Sequence, residues 1–102
     1  MISLPIVRWG KPYESLDIVE ITHFATGKPI AKVSQANGGI IRRDMKQAHR
    51  ARTRLKEIPS GELLTMLSKA ADLYEHAILP LGDGSQSAED FVHQQSASTG
   101  LP

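Results

Sequence analysis

Between Ser60 and Leu81 apolar residues return at Leu63, Leu67, Ala70, Tyr74, Ala77 and Leu81, in steps of four, three, four, three and four. Leu64, Ala71 and Ile78 form a second row beside the first. That spacing draws one wide apolar stripe along a helix, and the stripe must be covered by something. Burying each large side chain on it is worth roughly 1.5–3 kcal/mol. Ser60 is the expected N-cap, and Pro80 is expected to stop the helix near Leu79.

The chain is short for such a demand. It has 102 residues, of which 40% are hydrophobic but only 5% aromatic. One small domain is the upper bound, and scarce aromatics limit the surface that each core residue removes from water. Residues Gly82 to Gln86 read as a flexible loop. Ser87 then caps a short third helix carrying Phe91 and Val92, and Gly100 ends it.

An earlier helix is expected from about Ile40 to Ile58. Its apolar positions are Ile41, Met45, Ala48, Ala51, Leu55 and Ile58; Asn37-Gly38-Gly39 precede it and Pro59 closes it. Upstream, residues 15–36 read as a β-hairpin. Leu16 to Phe24 is β-type, Ala25-Thr26-Gly27-Lys28 makes the turn, and Ile30, Ala31 and Val33 continue as the second strand, with Pro29 at its start. Residues 1–14 read as an arm, a short strand or extended stretch over Ile2 to Val7 that is broken by Gly10-Lys11-Pro12. The expected class is α+β: hairpin, two amphipathic helices, then a short helix within residues 40–102.

Chemistry is hard to find. With no Cys, a thiol nucleophile, a disulfide or a zinc-thiolate site is excluded. His23, His49, His76 and His93 include no pair three to five residues apart, so no helical metal pair exists. Glu62, Asp72, Glu75, Glu89 and Asp90 read as solvated or helix-first-turn charges. Gly38-Gly39 and Gly82-x-Gly84 lack the spacing of phosphate loops, although Gly38-Gly39 does open a helix. Ser60, Ser85, Ser87, Ser96 and Ser98 have no positioned His–acid pair. No catalytic, cofactor-binding or metal-ligating residue is therefore assigned.

Seven of the twelve Lys and Arg lie in one stretch: Arg42, Arg43, Lys46, Arg50, Arg52, Arg54 and Lys56. Such a run can track phosphates. Three features favour a solvated face instead: the charges surround one helix, Asp44 and Glu57 interrupt them, and no aromatic lies among them to stack bases. A nucleic-acid partner is not expected. The apolar start is interrupted at Pro5 and ended by Arg8, too short for a signal segment, and no window spans a membrane. A cytoplasmic location without a membrane partner is the expectation.

The order of segments resembles the N-terminal part of the aldehyde dehydrogenase superfamily. The matching residues are Ala25-Thr26-Gly27-Lys28-Pro29-Ile30-Ala31-Lys32-Val33, then Asp44-Met45-Lys46-Gln47-Ala48-His49-Arg50-Ala51-Arg52. Leu67-Ser68-Lys69-Ala70-Ala71-Asp72-Leu73-Tyr74 and Thr99-Gly100-Leu101-Pro102 follow in the family's order. Two departures stand out. His23-Phe24-Ala25 occupies the place of the family's usual Asn-Pro, and residues 82–86 look like an insertion.

The resemblance implies that residues 1–102 are a partial N-terminal segment of an oxidoreductase with a Rossmann-like cofactor domain. In that family a Cys thiolate attacks the aldehyde, an oxyanion hole holds the developing charge, and hydride passes to NAD or NADP. A Glu-activated water or coenzyme A then releases an acid or acyl-CoA. It also implies a homo-oligomeric parent whose remaining chain is this segment's partner. The cofactor glycines and the reactive thiol would lie beyond Pro102, so the segment alone is expected to bind no cofactor and to be inactive. The Leu101-Pro102 ending reads as a linker into a further element. Two rival expectations remain: a helical interaction module that dimerises through Leu63, Leu67, Ala70 and Tyr74, and a basic nucleic-acid-binding helix.

Overall fold

The computed structural model describes residues 1–102 and has an α+β architecture of four helices and three small sheets. The strand expected over Ile2 to Val7 is present in two pieces, β1 (Ile2–Leu4) and β2 (Ile6–Arg8), and the rest of the arm adds a third, β3 (Lys11–Tyr13). Pro5 separates β1 from β2, because it offers no N–H to continue a ladder. Trp9-Gly10 is the two-residue turn of an antiparallel β2–β3 hairpin, with φ of 51° at Trp9 and 77° at Gly10. Two consecutive positive φ values are what a type I′ turn needs. Gly adopts that conformation freely, whereas Trp does so at a steric cost.

Strands β4 (Ile18–Thr22) and β5 (Pro29–Ser34) form the antiparallel hairpin that the turn residues imply. Gly27 takes φ 67°, and the turn is closed by His23 N–H donating to the Lys28 carbonyl at 2.9 Å. The strand begins at Ile18 rather than Leu16. Ser15 Oγ accepts from the Asp17 amide and donates to the Asp17 carbonyl, both at 2.9 Å, which bends the chain and leaves Leu16 in solvent. β1 joins β5 in parallel, Ile2 opposite Ala31 and Leu4 opposite Val33, to give the order β1-β5-β4. Ala31, on the central strand, is the one buried hydrophobic residue.

The helix expected from Ile40 to Ile58 is two helices, α1 (Gly38–Met45) and α2 (Ala48–Lys56). At the break, Gln47 N–H donates to the Asp44 carbonyl and Arg50 N–H to the Gln47 carbonyl, each at 3.0 Å. These three-residue bonds tighten the chain to a 3₁₀ pitch. The apolar steps Met45–Ala48–Ala51, each of three residues, fall at this place. Asn37 caps α1 by accepting from the Ile40 amide at 2.9 Å.

The striped helix is α3 (Ser60–His76). Pro59, not Ser60, holds the N-cap position, and its carbonyl accepts from Leu63 N–H at 3.1 Å. α3 stops before Ala77, short of Leu79; Pro80 could not continue it, since it has no N–H for the His76 carbonyl four residues back and its ring would meet that carbonyl. Residues 82–86 are no loose loop, and residues 79–81 are no helix end. They form β6 (Leu79–Leu81) and β7 (Gly84–Gln86), joined by the two-residue turn Gly82-Asp83. α4 (Ala88–Thr99) begins with a reciprocal capping box between Ser87 and Asp90 and ends at Gly100 with φ 76°.

Packing is sparse. α4 bears on α3, β4 and β7, while neither α1 nor α2 has an extended interface with another element. The radius of gyration is 16.7 Å, against about 13 Å for a compact domain of this length. The accessible surface is 8215 Å², whereas a folded monomer of this mass exposes about 5,700 Å².

Candidate functional site

The residues that sequence alone makes chemically interesting do not converge. His76 lies 3.8 Å from Asp72 and 3.7 Å from Glu75, and His93 lies 3.6 Å from Glu89. The first three are exposed neighbours on α3 and the last two on α4, and within each helix a single turn brings them together without tertiary structure. His23 stacks on Phe24 with ring centroids 5.1 Å apart, and its Nδ1 accepts from the Ala25 amide at 3.1 Å. No group of three or more His, Asp or Glu side chains is arranged to hold a metal ion. Ser87 is engaged in the α4 cap and Ser98 Oγ donates to the Gln94 carbonyl, so neither faces a His–acid pair. Glu62 stands in the first turn of α3.

The concave surface with the most apolar lining lies between the β1-β5-β4 sheet and α4, an open groove of about 300 Å³. Leu4, Ile21, Ile30, Ala31, Val33 and Phe91 contribute to its wall. Three contacts hold it open at this width. Phe24 N–H donates to the Ala97 carbonyl at 2.9 Å, the Phe24 ring sits against Gly100, and Tyr74 meets Phe91 edge-on at 5.6 Å. Polar groups in this wall are amides and a hydroxyl (Gln86, Gln94, Gln95 and Ser98). It can accept apolar side chains, and its one hydroxyl, Ser98, donates to the Gln94 carbonyl. The stripe of α3 is likewise uncovered, with Leu64 and Leu67 each 67% exposed.

The strongest electrostatic feature lies elsewhere. Arg8, at the end of β2, is bidentate on Asp44 of α1, and its guanidinium sits 4.8 Å from the centre of the Tyr13 ring. The Arg8 hydrogen bonds hold the Asp44 carboxyl below the ordinary carboxylate range, with further help from Trp9 and Arg43. The same hydrogen bonds raise Arg8 above its ordinary value. Around this pair, Trp9, Lys11, Pro12, Tyr13 and Gln47 line a shallow groove of about 470 Å³. The sequence reading passed over Arg8, Trp9 and Tyr13. Their signal was a two-residue Trp-Gly link between the β-type triplets Ile6-Val7-Arg8 and Lys11-Pro12-Tyr13.

No helix is long and apolar enough to cross a membrane. Neither family models nor curated proteins nor solved structures match this chain.

Proposed function

We propose that this chain is the N-terminal packing segment of a larger NAD(P)-dependent enzyme of the aldehyde dehydrogenase kind, one that oxidises an aldehyde to an acid or acyl-CoA. Its role there is to supply sheet and helix faces, and no catalytic group. The observation that carries the reading is the uncovered surface: 8215 Å² exposed, about 2,500 Å² more than a self-sufficient monomer of this mass. An excess of that size matches an obligate interface. A large apolar part of it lies on α3, where Leu64, Met66, Leu67, Leu73 and Tyr74 are all exposed. The ordered Thr-Gly, Ala/Arg-helix and Leu-x-x-Ala-Ala-Asp-Leu motifs supply the choice of enzyme class.

Neither glycine turn of this chain offers a nicotinamide dinucleotide an open phosphate seat. At the glycine-led N-terminus of α1, Asn37 Oδ1 already takes the Ile40 amide and the Arg42 side chain lies against Gly38. Gly82 abuts the Ser3 carbonyl, leaving no space for a phosphate. Cofactor, thiol and general base belong, on this reading, to the rest of the parent enzyme, within a Rossmann-like domain that these elements flank.

The adjoining coding DNA tests it. An open frame continuing into a glycine loop and a Cys nucleophile is expected; a stop codon directly after Pro102 refutes the proposal. The purified chain is expected to turn over no aldehyde with NAD or NADP. The exposed α3 stripe also favours a second reading, a module that dimerises through Leu63, Leu67, Ala70 and Tyr74. The edge-on contact of Tyr74 with Phe91 already draws one of these four inward. A discrete dimer in sedimentation, lost on Leu67→Glu, would favour that alternative.

A further inference from the structure

The basic stretch of α1 and α2 is set aside in the sequence for three reasons, and the fold alters all three. The stretch is not one helix. With a break at Lys46-Gln47, its cations fall into short rows: Arg50 and Arg54 follow Gln47 by three and seven positions along one side of α2, and Arg52 and Lys56 lie on the other. All seven are exposed. The two interrupting acids are also weakened as repellents. Asp44 is neutralised by the bidentate Arg8, and Glu57 stands 3.8 Å from Arg54. Finally, aromatic rings are present after all. The β2–β3 hairpin, tied to α1 by Arg8 and Asp44, brings Trp9 and Tyr13 into one groove with Gln47, the residue that leads into α2.

Both rings remain available. Trp9 is 50% and Tyr13 40% exposed. The Arg8 guanidinium covers Tyr13 at 4.8 Å and fixes its ring. Trp9 occupies a left-handed turn position that Asn would fill at less cost. The indole also helps to hold the Asp44 carboxylate, which keeps the half-exposed ring beside the Arg8 fork.

We propose that the β2–β3 hairpin and the α1–α2 helices form a binding surface for single-stranded nucleic acid. Bases stack on Trp9 and Tyr13, while phosphates run along Lys11, Arg50 and Arg54. Flexible single strands present base faces that a duplex keeps stacked, and ring stacking with a cationic track is how such strands are held without reading sequence. This surface is separate from the apolar α3 stripe and from the groove between the sheet and α4, so it stays open when those faces are covered.

Trp9 is the chain's only tryptophan, so its fluorescence reports on the site directly. The probe is an oligothymidylate of about twelve nucleotides, within the span that single-strand modules cover. The full chain is titrated with it at low salt. Quenching of Trp9 is expected. Affinity should fall with salt at a log–log slope of about −2 to −3 if three or four phosphates are engaged. Trp9→Asn converts the turn to Asn-Gly, which keeps or strengthens the hairpin while removing the ring. By anisotropy of a labelled oligonucleotide it should weaken binding at least about fivefold with the salt slope unchanged. Arg50→Gln with Arg54→Gln should instead flatten the slope, by about 0.7 for each cation in contact. Absence of quenching at low salt overturns the proposal. So does equal binding of a duplex of the same length, and so does binding of heparin or polyglutamate that matches the oligonucleotide and is indifferent to Trp9→Asn. The last outcome would mark a general polyanion or acidic-protein surface.

Discussion

The Arg8 guanidinium meets the Asp44 carboxylate through two hydrogen bonds, Nε to Oδ2 at 2.8 Å and Nη2 to Oδ1 at 2.7 Å, across 36 positions of chain. With neither α1 nor α2 broadly packed on another element, this pair positions α1 against the N-terminal hairpin. Both side chains are only about a fifth to a quarter exposed, and the paired fork fixes orientation as well as distance.

Breaking the fork should therefore free the hairpin without unfolding the rest. In Asp44→Asn, amide exchange is expected to speed up in residues 6–13 and in α1, while β4, β5 and α4 keep the rates of the unaltered chain. Native-state hydrogen exchange resolves the two groups. Uniform acceleration across the chain would mean that the pair supports the whole fold rather than this joint.

Acid should act at the same place. Asp44 is held below its ordinary value by Arg8, and Asp90 by the Ser87 backbone and hydroxyl. A carboxyl lowered in the folded state binds fewer protons there than in the unfolded chain. Its stabilisation is complete above the unfolded value, about 3.9, and is lost as pH falls through the lower folded value. Protection of residues 6–13 and of the start of α4 should be flat from neutral pH to about pH 4 and fall below it. In Asp44→Asn the hairpin should lose that acid response.

The β6–β7 turn was unreadable as structure because its apolar content is low and its partner is remote. Gly82 has φ 57° and lies against the Ser3 carbonyl so closely that a Cβ would clash with that oxygen. Asp83 completes the dock: its Oδ1 accepts from Ser3 N–H at 2.8 Å, and its own N–H donates to the Ser3 carbonyl at 3.3 Å. Gly82→Ala should expel the turn from the edge of β1. The backbone conformation alone costs about 1–2 kcal/mol, and relief of the clash must add to it. Urea unfolding with exchange at Ser3 and Asp83 measures both. An Ala variant of unchanged stability would show that the two edges do not meet in solution.

Local signals carried much of what was legible. Gly27, Pro29, Ser87 and Gly100 act at the places their chemistry marks, because turns and caps depend on a few adjacent residues. The break at Lys46-Gln47 was written in two successive three-residue steps, although the average period still read as one helix. What stayed hidden depends on distant partners. The parallel pairing of β1 with β5, the docking of Asp83 on Ser3 and the Arg8–Asp44 fork join residues with no sequence signal linking them. The groove at Trp9, Tyr13 and Gln47 is a product of the last of these, so a helix that looked devoid of aromatic neighbours acquires two.

The cap of α4 offers a measure of how independently that helix stands. Ser87 Oγ accepts from Asp90 N–H at 3.1 Å, and Asp90 Oδ2 accepts from Ser87 N–H at 2.9 Å. Ser87→Ala removes one half of this exchange and should cost about 1 kcal/mol. Because Ala97 near the other end accepts the Phe24 amide, fraying that travels the full helix would also loosen the β4–β5 turn. Exchange at Phe24 and at Asp90 separates the cases. Acceleration at Asp90 alone marks a frayed first turn, while acceleration at both marks α4 and the hairpin as one cooperative unit. The second result is expected, since the Phe24 ring and Gly100 lock the same end of the helix from the side-chain direction.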